Sequence, residues 1–298
     1  MQQGVRDTYF RPAVIARKRI NMKPNEIQRE RQTMRHRFIY ISALPIAAAL
    51  AMLSQPACAS QIAYEGFDLT FPAYNTGVGF SGAWATGGFN ALVSDYTANA
   101  RSLSYSSGAN GNAQGGGVQL QASGGSVSGG AFAAINGALR HLAAPLGASN
   151  TTVYVSFLIQ PNGTLGNGVF NGFFGLTLNG SLGKDLFIGK PGSGTEYVLE
   201  TRGGGGQVAS NTSAVVGKTA LLVVKAEFLS GIDIFTLYTN PVPGAPEPAS
   251  GVVKTDLYLG TVSAIGIYSS GAFSIDEIRI GTTYADVTPA VTGGDSQN

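Results

Sequence analysis

Residues 151–160 read TTVYVSFLIQ, with Val153, Val155, Phe157 and Ile159 on every second position. The same alternation runs through residues 219–228 (TALLVVKAEF), where Leu222, Val224, Ala226 and Phe228 interleave with Leu221, Val223, Lys225 and Glu227. A period of two puts neighbouring side chains on opposite faces of a strand, whereas a helix needs a period of 3.6. Beyond residue 60 nothing sustains the helical period. The alternation therefore predicts an all-β chain, and the doubly apolar run LLVV marks a strand central to its sheet.

Further strands are read at 232–239, after the short glycine-bearing connection Leu229-Ser230-Gly231, and at 262–268 and 272–280. The last two are expected to pair around Ser269-Ser270-Gly271. Weaker candidates are 62–68, 102–105, 117–121, 170–178, 184–190 and 196–201. Residues 138–144 (ALRHLAA) are read as a turn or two of helix, and Gly203 to Gly206 as a hairpin turn. The Pro-rich stretch 240–250 (NPVPGAPEPAS) reads as a surface loop. Many short strands with polar turns imply an antiparallel sandwich of two sheets.

The start of the chain is different in kind. Residues 1–33 are polar, charged and aperiodic, and read as a disordered extension or as an over-long start with Met34 as the initiator. Residues 34–59 have the form of a secretory signal: Arg35 and Arg37, sixteen uncharged residues from 38 to 53, then Ala57-Cys58-Ala59. Cleavage is expected between Ala59 and Ser60. A span needs about 20 apolar residues, so no membrane anchor is expected after removal. Cys58 is the only cysteine and leaves with the signal, so neither disulfides nor cysteine metal sites are expected. Residues 60–289 would form one domain and 290–298 a frayed tail.

Charge follows the same division. The chain carries 19 basic and 17 acidic residues; removing the ten basic and three acidic ones of residues 1–59 leaves nine and fourteen, a net −5. A nucleic-acid partner, which needs a basic footprint on the domain itself, is not expected.

Both ends of the expected domain carry familiar residues. Tyr64-Glu65-Gly66-Phe67-Asp68 opens it, with Gly82-Ala83-Trp84 and Ser102-Leu103-Ser104-Tyr105 following. Residues 273–281 (FSIDEIRIG) and Ala285-Asp286-Val287-Thr288-Pro289 close it. In this order they resemble the LamG-like, concanavalin A-like jelly-roll domains of secreted bacterial proteins, a kind often found with a PEP-CTERM sorting tail. No such tail is expected here: Pro246-Glu247-Pro248 lies internally and is read as part of a loop. The resemblance implies two curved sheets, pairing of the first and last strands, and loops that in some members hold carbohydrate or calcium.

Catalytic chemistry is thinly represented. His141 is the one histidine beyond the leader, and no Gly-x-Ser-x-Gly elbow occurs. Glycosidases of this fold carry carboxylates two residues apart on one strand, yet no Glu beyond the leader has Asp two positions ahead. Asp276 and Glu277 are strand neighbours and so are expected on opposite faces. Val216-Gly217-Lys218-Thr219 lacks both the first glycine and the following helix of a phosphate loop.

Sugar binding asks for an aromatic face beside polar groups, and Trp84 is the first candidate, with Tyr96 and Tyr105 after it. For Trp84 a place in the core is the competing reading. No cofactor is expected except calcium, for which Asp68 and Asp276 are the candidate ligands. The sequence leads to an exported, non-catalytic sandwich binding a glycan or matrix polymer outside the cell or at its surface. A glycosidase or lyase on the same fold, and a purely structural surface protein, stand as alternatives.

Overall fold

The structure is a computed structural model that describes residues 61–68, 77–86, 96–108, 117–130, 135–166 and 172–291. The chain divides into units 1–57 and 58–298, and everything described belongs to the second. In chain order the strands begin with β1 (Gln61–Glu65), β2 (Ala85–Thr86), β3 (Tyr96–Asn99), β4 (Ser126–Gly129) and β5 (Asn136–Leu146). Next come β6 (Thr151–Pro161), β7 (Phe174–Gly180), β8 (Asp185–Lys190), β9 (Glu196–Thr201) and β10 (Gly205–Ser213). The last are β11 (Ala220–Phe228), β12 (Asp233–Thr239), β13 (Val252–Leu257), β14 (Val262–Ser269) and β15 (Phe273–Gly281), followed by one helical turn, Tyr284–Val287.

These strands form two antiparallel sheets. One has eight strands in the order β13-β12-β11-β6-β15-β4-β3, with β1 also paired to β15. The other has seven, in the order β10-β9-β8-β7-β14-β5-β2. The all-β sandwich expected from the alternation is the fold observed. The first and last strands pair as well, with Tyr64 opposite Arg279 and Glu65 opposite Ile278.

The core lies between the sheets. Val153, Val155, Phe157 and Ile159 of β6 and Leu222, Val224, Ala226 and Phe228 of β11 enter it from one side; Leu176, Leu186, Ile188, Leu199, Ile265 and Ile267 enter from the other. Each such aliphatic or aromatic side chain contributes roughly 1.5–3 kcal/mol by leaving water. The interleaved residues Leu158, Leu221 and Val223 are buried too, in a second cluster with Tyr154, Tyr238, Tyr284 and Val287 on the outer face of the eight-stranded sheet. The run LLVV is apolar on both sides because both sides are covered.

A polar contact also crosses the core. Glu65 Oε2 accepts hydrogen bonds from Arg140 Nη1 and from Trp84 Nε1 at 3.0 Å, and Oε1 accepts from the Phe67 amide at 2.9 Å. Arg140 Nε donates to the Gly82 carbonyl at 2.9 Å, and its guanidinium lies 4.2 Å from the centre of the Phe80 ring. Glu65 belongs to one sheet and Arg140 to the other, so this buried ion pair ties the two together. Burial pulls Arg140 down to about 10, which leaves it charged at neutral pH.

Three expectations are corrected. Residues 138–144 are strand, inside β5, and not helix. Ala138, Arg140 and Leu142 are buried while His141 and Ala143 are exposed, and Arg140 hides the alternation because Glu65 neutralises it inside. Strands β14 and β15 do not pair with each other: β14 lies between β5 and β7, and β15 between β6 and β4. The Ser269-Ser270-Gly271 connection carries the chain from one sheet to the other. Of the weaker candidates, 102–105 and 117–121 meet only through the isolated bridge Ser106–Gln119. The third correction concerns Asp276 and Glu277 and is taken up with the site.

Candidate functional site

The aromatic residues singled out in the sequence are all buried. Trp84 is 3 % exposed, donates to Glu65, and stacks on Phe67 with ring centres 5.9 Å apart. Tyr96 shares a 3.0 Å hydrogen bond with Ser269 Oγ and meets Phe273 edge-on. Tyr105 donates to the Pro241 carbonyl at 3.0 Å from within the outer cluster of the eight-stranded sheet, while Trp84 and Tyr96 belong to the inner core. The structure does not bring the three together. The bond between Ala59 and Ser60 lies outside the described residues.

Asp68 is exposed beside a groove formed with Phe67, Asn99 and Gly124. Asp276 is fully buried. Its Oδ2 accepts from the Ser102 hydroxyl and from the Leu103 amide at 2.7 Å, and its Oδ1 accepts from the Glu277 amide at 2.7 Å. Among the described residues, no three His, Cys, Asp or Glu side chains gather where a metal could bind.

Asp276 and Glu277 do share a face. Opposite β6 the register slips between Asp276 and Arg279, and Glu277 has a left-handed φ of 52°. This bulge inserts one residue, so Ile275 and Ile278 both reach the core and the acids between them both turn outward. Glu277 there accepts from Tyr64 Oη at 3.0 Å, from the Ser123 amide at 2.7 Å and from Arg279 Nη2. Burial and the charge of Glu277 push Asp276 up to about 8; burial also raises Glu277. Glu277 and Arg279 form a buried ion pair.

A more open arrangement occupies the outer face of the seven-stranded sheet. Alternation along β9 sends Tyr197 and Leu199 into the core and leaves Glu196, Val198 and Glu200 outward. Phe187 lies opposite Glu200 on β8. Phe173, Phe187 and Tyr268 form an aromatic cluster with ring centres 4.7 Å apart for Phe173 and Tyr268 and 6.4 Å for Phe187 and Tyr268. The Arg202 guanidinium lies 5.4 Å from the Tyr268 ring centre and is itself paired with Asp185 Oδ2 at 2.6 Å. Gly175 and Gly189 face each other beside this cluster, where a Cβ on either would run into the opposite strand.

The cluster walls a groove of about 250 Å³ lined by Phe173, Ser193, Glu200, Gln207 and Tyr268. Ser193 and Gln207 also line an adjoining groove of about 260 Å³ that reaches Glu196. Burial pushes Glu200 up to about 7, with Lys254 pulling the other way, and Glu200 has no hydrogen-bond partner among the described residues. Glu196 and Glu200 stand four residues apart, about 13 Å along a strand, wider than the roughly 5–10 Å that separates paired catalytic carboxyls. The arrangement offers an apolar ring surface, a carboxyl able to donate or accept, and an amide. None of these groove residues was singled out in the sequence; the alternation of β9 and β14 was visible, but not which outer face stays open.

No family model matches the chain, and no curated protein does. Solved structures similar to it include the globular domain of T. cruzi calreticulin (TM-score 0.42, 10 % identity, covering 77 % of this chain and 90 % of that one). Another is an endo-1,3-β-glucanase from Streptomyces sioyaensis (TM-score 0.42, 8 % identity, 74 % and 95 % covered). A third is the carbohydrate recognition domain of Emp47p (TM-score 0.35, 10 % identity, 60 % and 94 % covered). These are β-sandwich domains of the lectin and glucanase kind, and none assigns the chain to the LamG domains.

Proposed function

We propose that this protein is an exported, non-catalytic β-sandwich module that binds carbohydrate, as a free glycan or a matrix polymer, along the groove on the outer face of the seven-stranded sheet. The observation that carries the reading is the partly buried Tyr268 ring, set in an aromatic cluster beside Glu200 and Gln207. A pyranose presents C–H groups on its faces and hydroxyls around its edge. An aromatic surface flanked by a carboxyl and an amide meets both needs, and the Arg202 stack holds the Tyr268 ring in place. Export rests on the basic, apolar and Ala-x-Ala segments ahead of the domain. The wide spacing of Glu196 and Glu200 favours binding over hydrolysis.

The test is a glycan array probed with the protein, with calcium and again with a chelator, alongside the Tyr268→Ala variant. One glycan class is expected to bind, about tenfold more weakly to the variant, a loss of about 1.4 kcal/mol. Absence of binding in both conditions, equal binding by the variant, or release of reducing ends from the bound glycan would overturn the reading.

A further inference from the structure

At one end of the sandwich, where β9 of one sheet approaches the start of β11 in the other, lies a cavity of about 600 Å³. Its lining includes the side chains of Tyr197, Ser107, Ser213, Asn240 and Lys218. This volume falls in the range of small-molecule sites.

Three features set it apart from an ordinary packing gap. Tyr197 is 1 % exposed and its hydroxyl has no hydrogen-bond partner among the described residues, an omission that costs about 1–3 kcal/mol in a buried group. Val215 and Val242, both lining the cavity, remain more than 40 % exposed, so apolar surface stands open at its edge. Lys218 contributes an exposed ammonium that pairs with no carboxylate among the described residues, and no carboxylate lines the cavity. Nearby polar capacity is partly committed: Asn240 Oδ1 accepts from the Leu221 amide at 3.1 Å and Thr219 Oγ1 from Gln160 at 3.0 Å. Ser107 Oγ is committed as well, donating to the Val118 carbonyl at 3.3 Å and accepting from the Val118 amide at 3.2 Å, which leaves the Asn240 amide protons, the Ser213 hydroxyl, the Tyr197 hydroxyl and one cation.

We propose that this cavity is a second ligand site, separate from the groove, for a small carboxylate-bearing sugar of the hexuronate class. The hydroxyl and amide groups match a polyhydroxylated ring, the exposed valines its C–H groups, and Lys218 its carboxylate. Tyr197 finds in the bound sugar the partner that the protein does not provide.

Isothermal titration of the full chain with glucuronate, glucose and acetate tests this. Glucuronate is expected to bind, with glucose and acetate each weaker by about tenfold or more, the worth of one charged or polar contact set. Lys218→Gln should cost glucuronate about tenfold and leave glucose unchanged, because only the charge contact is removed. Tyr197→Phe, which keeps the ring and its packing, should weaken both sugars, and Tyr268→Ala neither. The assignment fails if glucuronate does not bind or if acetate binds as well. It also fails if Tyr197→Phe raises stability without touching affinity, or if Tyr268→Ala abolishes the binding, which would move it to the groove.

Discussion

On the outer face of the eight-stranded sheet, the carboxylates are committed to the protein itself. Asp276 accepts from Ser102, Leu103 and Glu277; Glu277 from Tyr64, Ser123 and Arg279; Glu247 from Tyr154 at 2.7 Å and Tyr238 at 2.5 Å. Loops and the helical turn lie over that face, and its tyrosines pack against one another, Tyr154 and Tyr238 both edge-on to Tyr284. On the outer face of the seven-stranded sheet, Glu200 holds no hydrogen bond among the described residues and an aromatic cluster borders open space. Both faces carry acids beside tyrosines, yet one arrangement fastens chain segments down and the other leaves its capacity unspent. Residue type alone does not separate a fastening from a site; the count of satisfied hydrogen bonds does.

The sharpest way to break this comparison is to remove one acid from each face. Glu277→Ala strands the Arg279 guanidinium, 8 % exposed, without its counter-charge, and a buried charge left alone costs about 3–5 kcal/mol. Glu200→Ala removes a buried carboxyl that no hydrogen bond supports, so the denaturant midpoint should stay or rise. Urea unfolding at neutral pH reads both. Equal losses would show that the two faces are built alike.

How far the sequence carried this division depends on the range of the forces involved. Strands β6 and β11 were legible residue by residue because their inner faces are uniformly apolar and the alternation is unbroken. Strand β5 was not, since Arg140 sits on its inner face and its counter-charge, Glu65, is 75 residues away. The switch from β14 to β15 between sheets was invisible for a similar reason: alternation tells which face is apolar, never which sheet receives the strand. Asp276 and Glu277 were expected on opposite faces, and share one because a left-handed residue inverts the alternation, which no local preference of glutamate announces. Trp84 and Tyr268 are both aromatics close to glycine or serine, and their exposure is decided by what covers them.

The second test varies pH. Glu200 is raised from an ordinary 4.5 to about 7, chiefly by burial, so the folded chain keeps a proton that the unfolded chain releases. Between about pH 4.5 and 7 the unfolded state binds fewer protons, and stability falls as pH rises, by up to about 3 kcal/mol from this group. Asp276, raised to about 8, adds a decline of its own. The reading is therefore the difference between the wild type and Glu200→Gln, whose stability should decline less across that window. Identical pH profiles would show that Glu200 is not held above the ordinary carboxylate range in the folded chain.

The smallest effect is expected where an acid is fastened but partly exposed. Glu247, in the internal Pro246-Glu247-Pro248, pins the 240–251 loop onto the eight-stranded sheet through Tyr154 and Tyr238, with Lys225 Nζ 3.7 Å away. Burial works against its charge, but the two hydroxyls and Lys225 prevail and hold it below the ordinary carboxylate range. Its contribution is present above the unfolded value and is lost as pH falls through the folded one. Glu247→Gln keeps the shape and weakens two hydrogen bonds to a charged group. With solvent screening discounted, the cost is about 1 kcal/mol, seen as faster proteolysis within the loop. Glycan binding by the groove on the other sheet should not change, because the two faces share no side chain in these contacts. A loss of glycan binding in Glu247→Gln would mean that the covered face takes part in recognition, and the division between a fastened face and an open one would have to be abandoned.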